Sequence, residues 1–150
     1  MNSRGFTLIE LMIVVTIIAI LSSVGIVYYG NFLKNSRDAK RQSDLKFIQS
    51  ALEEYHADAL HYPPSGDVIP GGQLSYGPSG SAKIYLNQIP VDPLRIPPYL
   101  YRPSGTGCDS VSQNCTNYCL YAKMEGTNPS HGDSACNPPP EGYNYGVTRP

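Results

Sequence analysis

The sequence predicts an α+β protein. A long N-terminal helix, apolar in its first half and amphipathic in its second, should pack on a small antiparallel sheet with a disulfide-containing, loop-rich C-terminal region. Three observations carry this. Phe6 to Tyr29 holds one charge, Glu10, and no proline. Leu45, Ile48, Leu52, Tyr55 and Ala59 then recur in steps of three and four, which is one stripe of a helix. All four cysteines and the 14 prolines lie beyond residue 60.

A chain of 150 residues suits one domain plus a segment. A hydrophobic content of 41% and a net charge of -1 argue against a disordered chain and against a nucleic-acid binder dominated by charge. The first element is the apolar run. At about 1.5 Å per residue, Phe6–Tyr29 would extend about 36 Å, enough to cross a bilayer with some tilt. A cleaved secretory signal has a shorter apolar core and a small-residue cleavage site, and no A-x-A pattern closes this run. A buried core helix is the alternative, but the remaining chain is too small to wrap it. Arg4 precedes the run. Lys34, Arg37, Lys40 and Arg41 follow it, with Asp38 and Asp44 interspersed. Counting Lys and Arg alone would put the following segment in the cytoplasm.

The helix should continue from Phe32 to about Leu60, where neither Gly nor Pro occurs. Lys40, Arg41, Asp44, Lys46 and Glu53 are expected on its solvated face. Lys40–Asp44 and Arg41–Asp44 pairs would add roughly 0.2–0.5 kcal/mol each. Gly25 and Gly30 mark where a bend would be least costly. His61–Pro64 stops the helix, because Pro63 disfavours a helical Tyr62.

Residues 63–82 are rich in Gly, Ser and Pro and are expected to form a loop with little regular structure. Lys83 to Ile89 suits a helical turn or a short strand. Prolines at 90, 93, 97 and 98 fix turns. Tyr99 to Arg102 is expected as a first strand, and Gly142 to Val147 as a third. Asn117 to Glu125 is the strongest strand, with Cys119, Tyr121 and Lys123 on one face and Tyr118, Leu120, Ala122 and Met124 on the other. The sheet and the amphipathic helix each have one apolar face to bury, so they should pack together.

So small a head needs further stabilisation. Cys108, Cys115, Cys119 and Cys136 form an even set in a loop-rich region, which suggests two disulfides in an oxidising compartment. Three connectivities exist. Cys108–Cys115 would close the hairpin tip and Cys119–Cys136 would tie the tail to the central strand, each stabilising by roughly 2–4 kcal/mol. A zinc site is the alternative, but the paired CxxC knuckles are missing. Disulfides place the head outside the cytoplasm and the N-terminus inside, against the positive-charge count.

RGFTLIEL, Arg4 to Leu11, resembles the processing signal of type IV pilins and type II secretion pseudopilins: a short basic leader ending in Gly, then Phe-Thr-Leu-Ile-Glu and a long apolar helix. SRDAKRQSDLKFIQSALEEYHADALHYP resembles the amphipathic half that follows. IPVDPLRIPPYLY, Ile89 to Tyr101, resembles a segment of G-type major pseudopilins. Val27 stands where many pilins have proline. Asp109, Glu125 and Asp133 match no acidic calcium loop, so no calcium and no other cofactor is assigned. The cysteine-rich tail differs from the usual G-type head.

The resemblance implies a leader at 1–5, a transmembrane and assembly helix at 6–29, an amphipathic helix at 30–62 and a β-rich head at 63–150. It implies a pilin-like fold and a structural subunit of a type IV pilus or type II secretion filament. A prepilin peptidase would cut between Gly5 and Phe6, the new amine of Phe6 would be methylated, and Glu10 would pair with the amine of a neighbouring subunit. Implied partners are other copies, other pilins or pseudopilins, the peptidase and methyltransferase, an inner-membrane assembly platform, and lipid before assembly. The expected location is a single pass of the inner membrane, N-terminus in the cytoplasm and head outside.

Two other classes compete. A membrane-anchored enzyme would have to use His56, His61 or His131, and no G-x-S-x-G or H-E-x-x-H motif accompanies them. A DNA-uptake or adhesive pilin would use the Tyr-rich head with Lys83, Arg95, Arg102 and Lys123, although a solvated surface is the commoner explanation of such residues. Nucleic acid as a partner has no further support.

Overall fold

Helix α1 runs unbroken from Leu8 to Ala59 in the computed structural model of the protein, which describes residues 5–108, 114–126, 134–136 and 138–150. The bend expected at Gly25 or Gly30 does not interrupt the helix. The chain divides into two compact units, Met1–Ser36 and Arg37–Pro150. In the first, every side chain described from Phe6 to Ser36 is exposed. The helix there is long and apolar enough to cross a membrane.

The second unit is built on the expected stripe. Leu45, Ile48, Ala51, Leu52 and Tyr55 are buried. Ala59 packs partly against the same core. The helix ends at Leu60, which takes a left-handed φ of 63° and donates its N–H to the His56 carbonyl at 2.8 Å. The following Tyr62 N–H bonds the Cys115 carbonyl at 2.8 Å, which fastens the helix exit to the far part of the chain.

Two antiparallel sheets complete the unit. Strands β1 (Leu74–Tyr76) and β2 (Lys83–Leu86) pair as a hairpin. Strands β3 (Leu100–Ser104), β4 (Asn117–Ala122) and β5 (Tyr145–Thr148) form a sheet with β4 in the centre. Leu120 pairs with Tyr101 on one side and Val147 on the other. Gly146 faces the Tyr121 ring so closely that a Cβ there would lie 2.9 Å from it. Only glycine allows β5 to approach there without displacing the ring.

The three strands of the larger sheet fall within two or three residues of the expected positions, and the expected core face of β4 is buried, although Tyr121 on its other face is buried as well. Tyr118, Leu120, Ala122 and Met124 are all buried. The loop expected at 63–82 is corrected by β1. Leu74 is fully buried, and this one apolar anchor in a polar stretch is enough to hold the strand in the core. The solvated helix face holds at Lys40 and Lys46, which are exposed, and is corrected at Arg41 and Glu53. Arg41 is 2% exposed. Glu53 lies under two tyrosines, accepting from the hydroxyls of Tyr62 and Tyr118 at 3.1 Å.

The core is rich in tyrosine, and the hydroxyls of Tyr62, Tyr99, Tyr101 and Tyr118 are placed on acceptors. Tyr99 donates to Asp44 at 2.8 Å and Tyr101 to the Pro63 carbonyl at 2.8 Å. Burial pushes the phenols of Tyr99, Tyr101 and Tyr118 upward, and it takes Tyr62 up to about 12 with the Glu53 carboxylate adding to the effect. They stay neutral donors at physiological pH.

Candidate functional site

The N-terminal signal begins outside regular secondary structure at Gly5–Thr7 and enters α1 at Leu8. Thr7 and Glu10 close a reciprocal cap. The Thr7 N–H and hydroxyl both donate to Glu10 Oε2, at 2.8 and 2.7 Å, and the Glu10 N–H reaches back to Thr7 Oγ1 at 3.3 Å. This is the capping box: a Thr at the helix start and an acid three residues on satisfy backbone donors that have no helical partner. The T-x-x-E spacing was readable in the chain. The acid in the apolar run therefore has a structural partner within its own subunit, and it is the fifth residue after the expected Gly5–Phe6 junction. Phe6 is 91% exposed, and Arg4 lies outside the described residues.

The second concentration of charge lies where α1 enters the head. Arg41 Nε meets Asp92 Oδ2 at 2.6 Å, and its Nη1 meets Asp38 and Glu125 at 2.7 Å each. Arg37 pairs with Glu125 through two bonds of 2.7 and 2.6 Å. Asp38 also accepts the N–H groups of Glu125 and Gly126. Asp92 is 2% exposed and accepts the Leu94 N–H at 2.8 Å. Burial opposes the Arg41 charge, but the hydrogen bonds it donates to Asp92, Glu125 and Asp38 outweigh it and hold the guanidinium above its usual value. Arg37 and, against some burial, Arg41 lower the Glu125 carboxyl to about 2. The expected Arg41–Asp44 pair is replaced by this cluster, since Asp44 takes the Tyr99 hydroxyl. Asp92 sits in the proline-rich turns, and no local pattern foretold its pairing with a residue 51 positions earlier.

The histidines are scattered. His56 stacks on Tyr62 at 4.5 Å between centroids, and His61 makes an edge contact with Tyr55 at 5.8 Å. His131 lies outside the described residues. Two surface hollows, of about 220 and 320 Å³, flank Val91, and neither is lined by a histidine. Among the described residues, no group of three His, Cys, Asp or Glu is placed to hold a metal ion. Asp109 and Asp133 lie outside those residues, and Glu125 is engaged by arginines. Of the basic candidates on the head, Lys83 is paired with Glu54 and Asp58 at 3.0 and 2.7 Å. The structure joins Cys108 to Cys115 and Cys119 to Cys136, the pairing expected from the chain.

Comparison with known proteins agrees with these features. The prokaryotic N-terminal methylation motif matches residues 1–26. The chain is 31% identical over 104 residues to the type II secretion system core protein G of Escherichia coli (strain K12), covering 61% of this chain and 67% of that protein. It is 32% identical over 112 residues to the core protein G of Pseudomonas aeruginosa (strain PAO1), covering 70% and 77%. The type IV major pilin protein PilA of Myxococcus xanthus (strain DK1622) is 38% identical over 68 residues, covering 45% and 31%. No solved structure matches the chain. With the methylation motif at its head and sustained identity to core protein G, the chain belongs to the type IV pilin and type II secretion pseudopilin family.

Proposed function

We propose that the protein is a structural subunit of a type IV pilus or type II secretion filament, and not an enzyme. It is inserted in the inner membrane with its N-terminus in the cytoplasm, cut after Gly5, methylated at Phe6 and assembled through α1. Residues 1–5 are the leader, 6–29 the membrane and assembly helix, 30–62 the amphipathic half and 63–150 the head. The observation that carries the reading is an exposed apolar helix headed by Gly5, Phe6 and Glu10, on which the methylation motif falls. Moving this helix from lipid into a bundle exchanges one apolar environment for another, so burial alone contributes little net drive. A polar contact can then set register. Glu10 is the group for it, exchanging its Thr7 donors for the Phe6 amine of a neighbour. A paired charge of this kind confers specificity more than stability. Its partners are other copies, related pilins, the peptidase and methyltransferase, and the assembly platform.

Two variants test this. The Gly5→Leu chain should remain an uncut precursor in the membrane, and normal processing would remove the peptidase assignment. The Glu10→Ala chain should be processed yet fail to form regular filaments; normal filament yield and subunit spacing would refute the pairing. Imaging on cells separates a surface pilus from a short secretion filament. A DNA-uptake role is a second reading only if the chain binds DNA with a steep salt dependence.

A further inference from the structure

The side-chain chemistry of α1 changes within about one turn at the end of its apolar run. No aromatic residue lies between Phe6 and Tyr28. Then come Tyr28, Tyr29 and Phe32, all exposed, and Lys34. At about 100° per residue, the three rings share an arc of about 100° on the helix. A tyrosine ring prefers apolar surroundings while its hydroxyl needs water, so tyrosines collect at the boundary between lipid chains and headgroups. A lysine just beyond reaches outward to the headgroups.

We propose that Tyr28, Tyr29 and Phe32, with Lys34, anchor the subunit at the lipid headgroup boundary on the head side and so fix the depth of the helix. The proposal rests on the membrane-spanning reading and deepens it. Its occupant is a phospholipid surface, because the change from aliphatic to hydroxyl-bearing rings and then to an ammonium falls one hydrocarbon thickness from the other end of the run. Glu10 and Tyr28 are separated by 18 positions on α1, which is about 27 Å along the axis. The hydrocarbon core is about 30 Å thick, and an average tilt shortens the projected distance to about 25 Å. An anchored Tyr28 therefore brings Glu10 within about 5 Å of the opposite boundary. Gly5 and Phe6 emerge beyond it, where a protease can reach the junction. Depth, processing and the tolerance of the acid are set together by a group of rings at the far end of the span.

The chain contains no tryptophan, so a single Tyr29→Trp or Ile18→Trp substitution supplies the only indole. Each full-length chain is placed in phosphatidylcholine vesicles carrying bromine either near the headgroup or deep in the acyl chain, and fluorescence quenching is measured. The shallow bromine should quench the Tyr29→Trp chain more strongly, and the deep bromine the Ile18→Trp chain. Deep quenching at position 29 would overturn the anchor while leaving the membrane span intact. Blue-shifted emission at position 29 that escapes both lipids would assign the rings to a neighbouring copy and also overturn it. If neither chain is quenched, the membrane reading fails and the anchor with it. In the Ile18→Trp background, replacing Tyr28, Tyr29 and Phe32 together by Ala should shift quenching from deep toward shallow. An unchanged profile there would refute the anchor.

Discussion

Replacing Arg41 by methionine should destabilise the head by about 3–5 kcal/mol, the usual cost of removing one partner of a buried ion pair. The structure identifies which group bears this cost. Glu125 keeps Arg37, and Asp38 keeps the N–H groups of Glu125 and Gly126. Asp92, at 2% exposure, keeps only the Leu94 N–H among the bonds described here and is left as an unpaired buried carboxylate. A domain of this size is stable by roughly 5–15 kcal/mol, so the loss is a large fraction of the total. Urea unfolding of the full-length chain in mild detergent, followed by tyrosine circular dichroism, should show the midpoint falling by roughly 1–3 M. Adding Asp92→Asn removes the buried charge and preserves an acceptor for Leu94. The Arg41→Met/Asp92→Asn chain should therefore recover about half of the loss, since it is the unpaired charge and not the missing attraction that is costly. A cost below about 1 kcal/mol for Arg41→Met, or additive costs in the double variant, would refute this account.

Three further outcomes follow from the same structure. The Glu125 carboxyl is lowered from 4.5 to about 2, so its contribution is complete above about pH 4.5 and is lost as the pH falls through 2. Discounted for its partial exposure, the gap between wild type and Glu125→Gln should be about 1–2 kcal/mol at neutral pH and close toward pH 2 in thermal melts. Removing Cys119–Cys136 by paired Ser substitutions should cost about 3 kcal/mol, slightly more than removing Cys108–Cys115, because it closes the longer loop; equal or reversed costs in denaturant titrations would contradict that ordering. Leu60→Asn should stabilise by about 1 kcal/mol, since an 83% exposed side chain loses little contact and asparagine accepts the left-handed backbone more readily. A lower melting temperature would show that Leu60 does more at the helix exit than end the helix.

Much of the architecture was legible because it rests on period and punctuation. The apolar run, the stripe from Leu45 to Ala59, the stop at Pro63 and the alternation along β4 are local patterns. The capping role of Thr7 was missed, although its signal, an oxygen three positions before an acid, was present in the chain. Arg41 was not legible. Charge and helical spacing put it on a solvated face, and only the arrival of Asp92 and Glu125 makes its burial tolerable. Glu53 was missed for a related reason, since an acid on the helix flank gains two phenol donors only when Tyr62 and Tyr118 fold over it. Strand β1 depends on a single leucine in a glycine-rich stretch, too little for a period to register. Local patterns survive in one dimension, whereas paired charges are decided by which distant segments meet.

The cluster around Arg41 also sets an order of events in time. Its partners Asp92 and Glu125 lie 51 and 84 positions later in the chain. At a synthesis rate of roughly 5–20 residues per second, Glu125 emerges about 4–17 s after the arginine it will bind. Throughout that interval Arg37 and Arg41 lack the carboxylate that later holds them both. The nascent chain carries a transient cationic segment just behind its apolar run, until Glu125, just past β4, supplies the acid that binds both arginines.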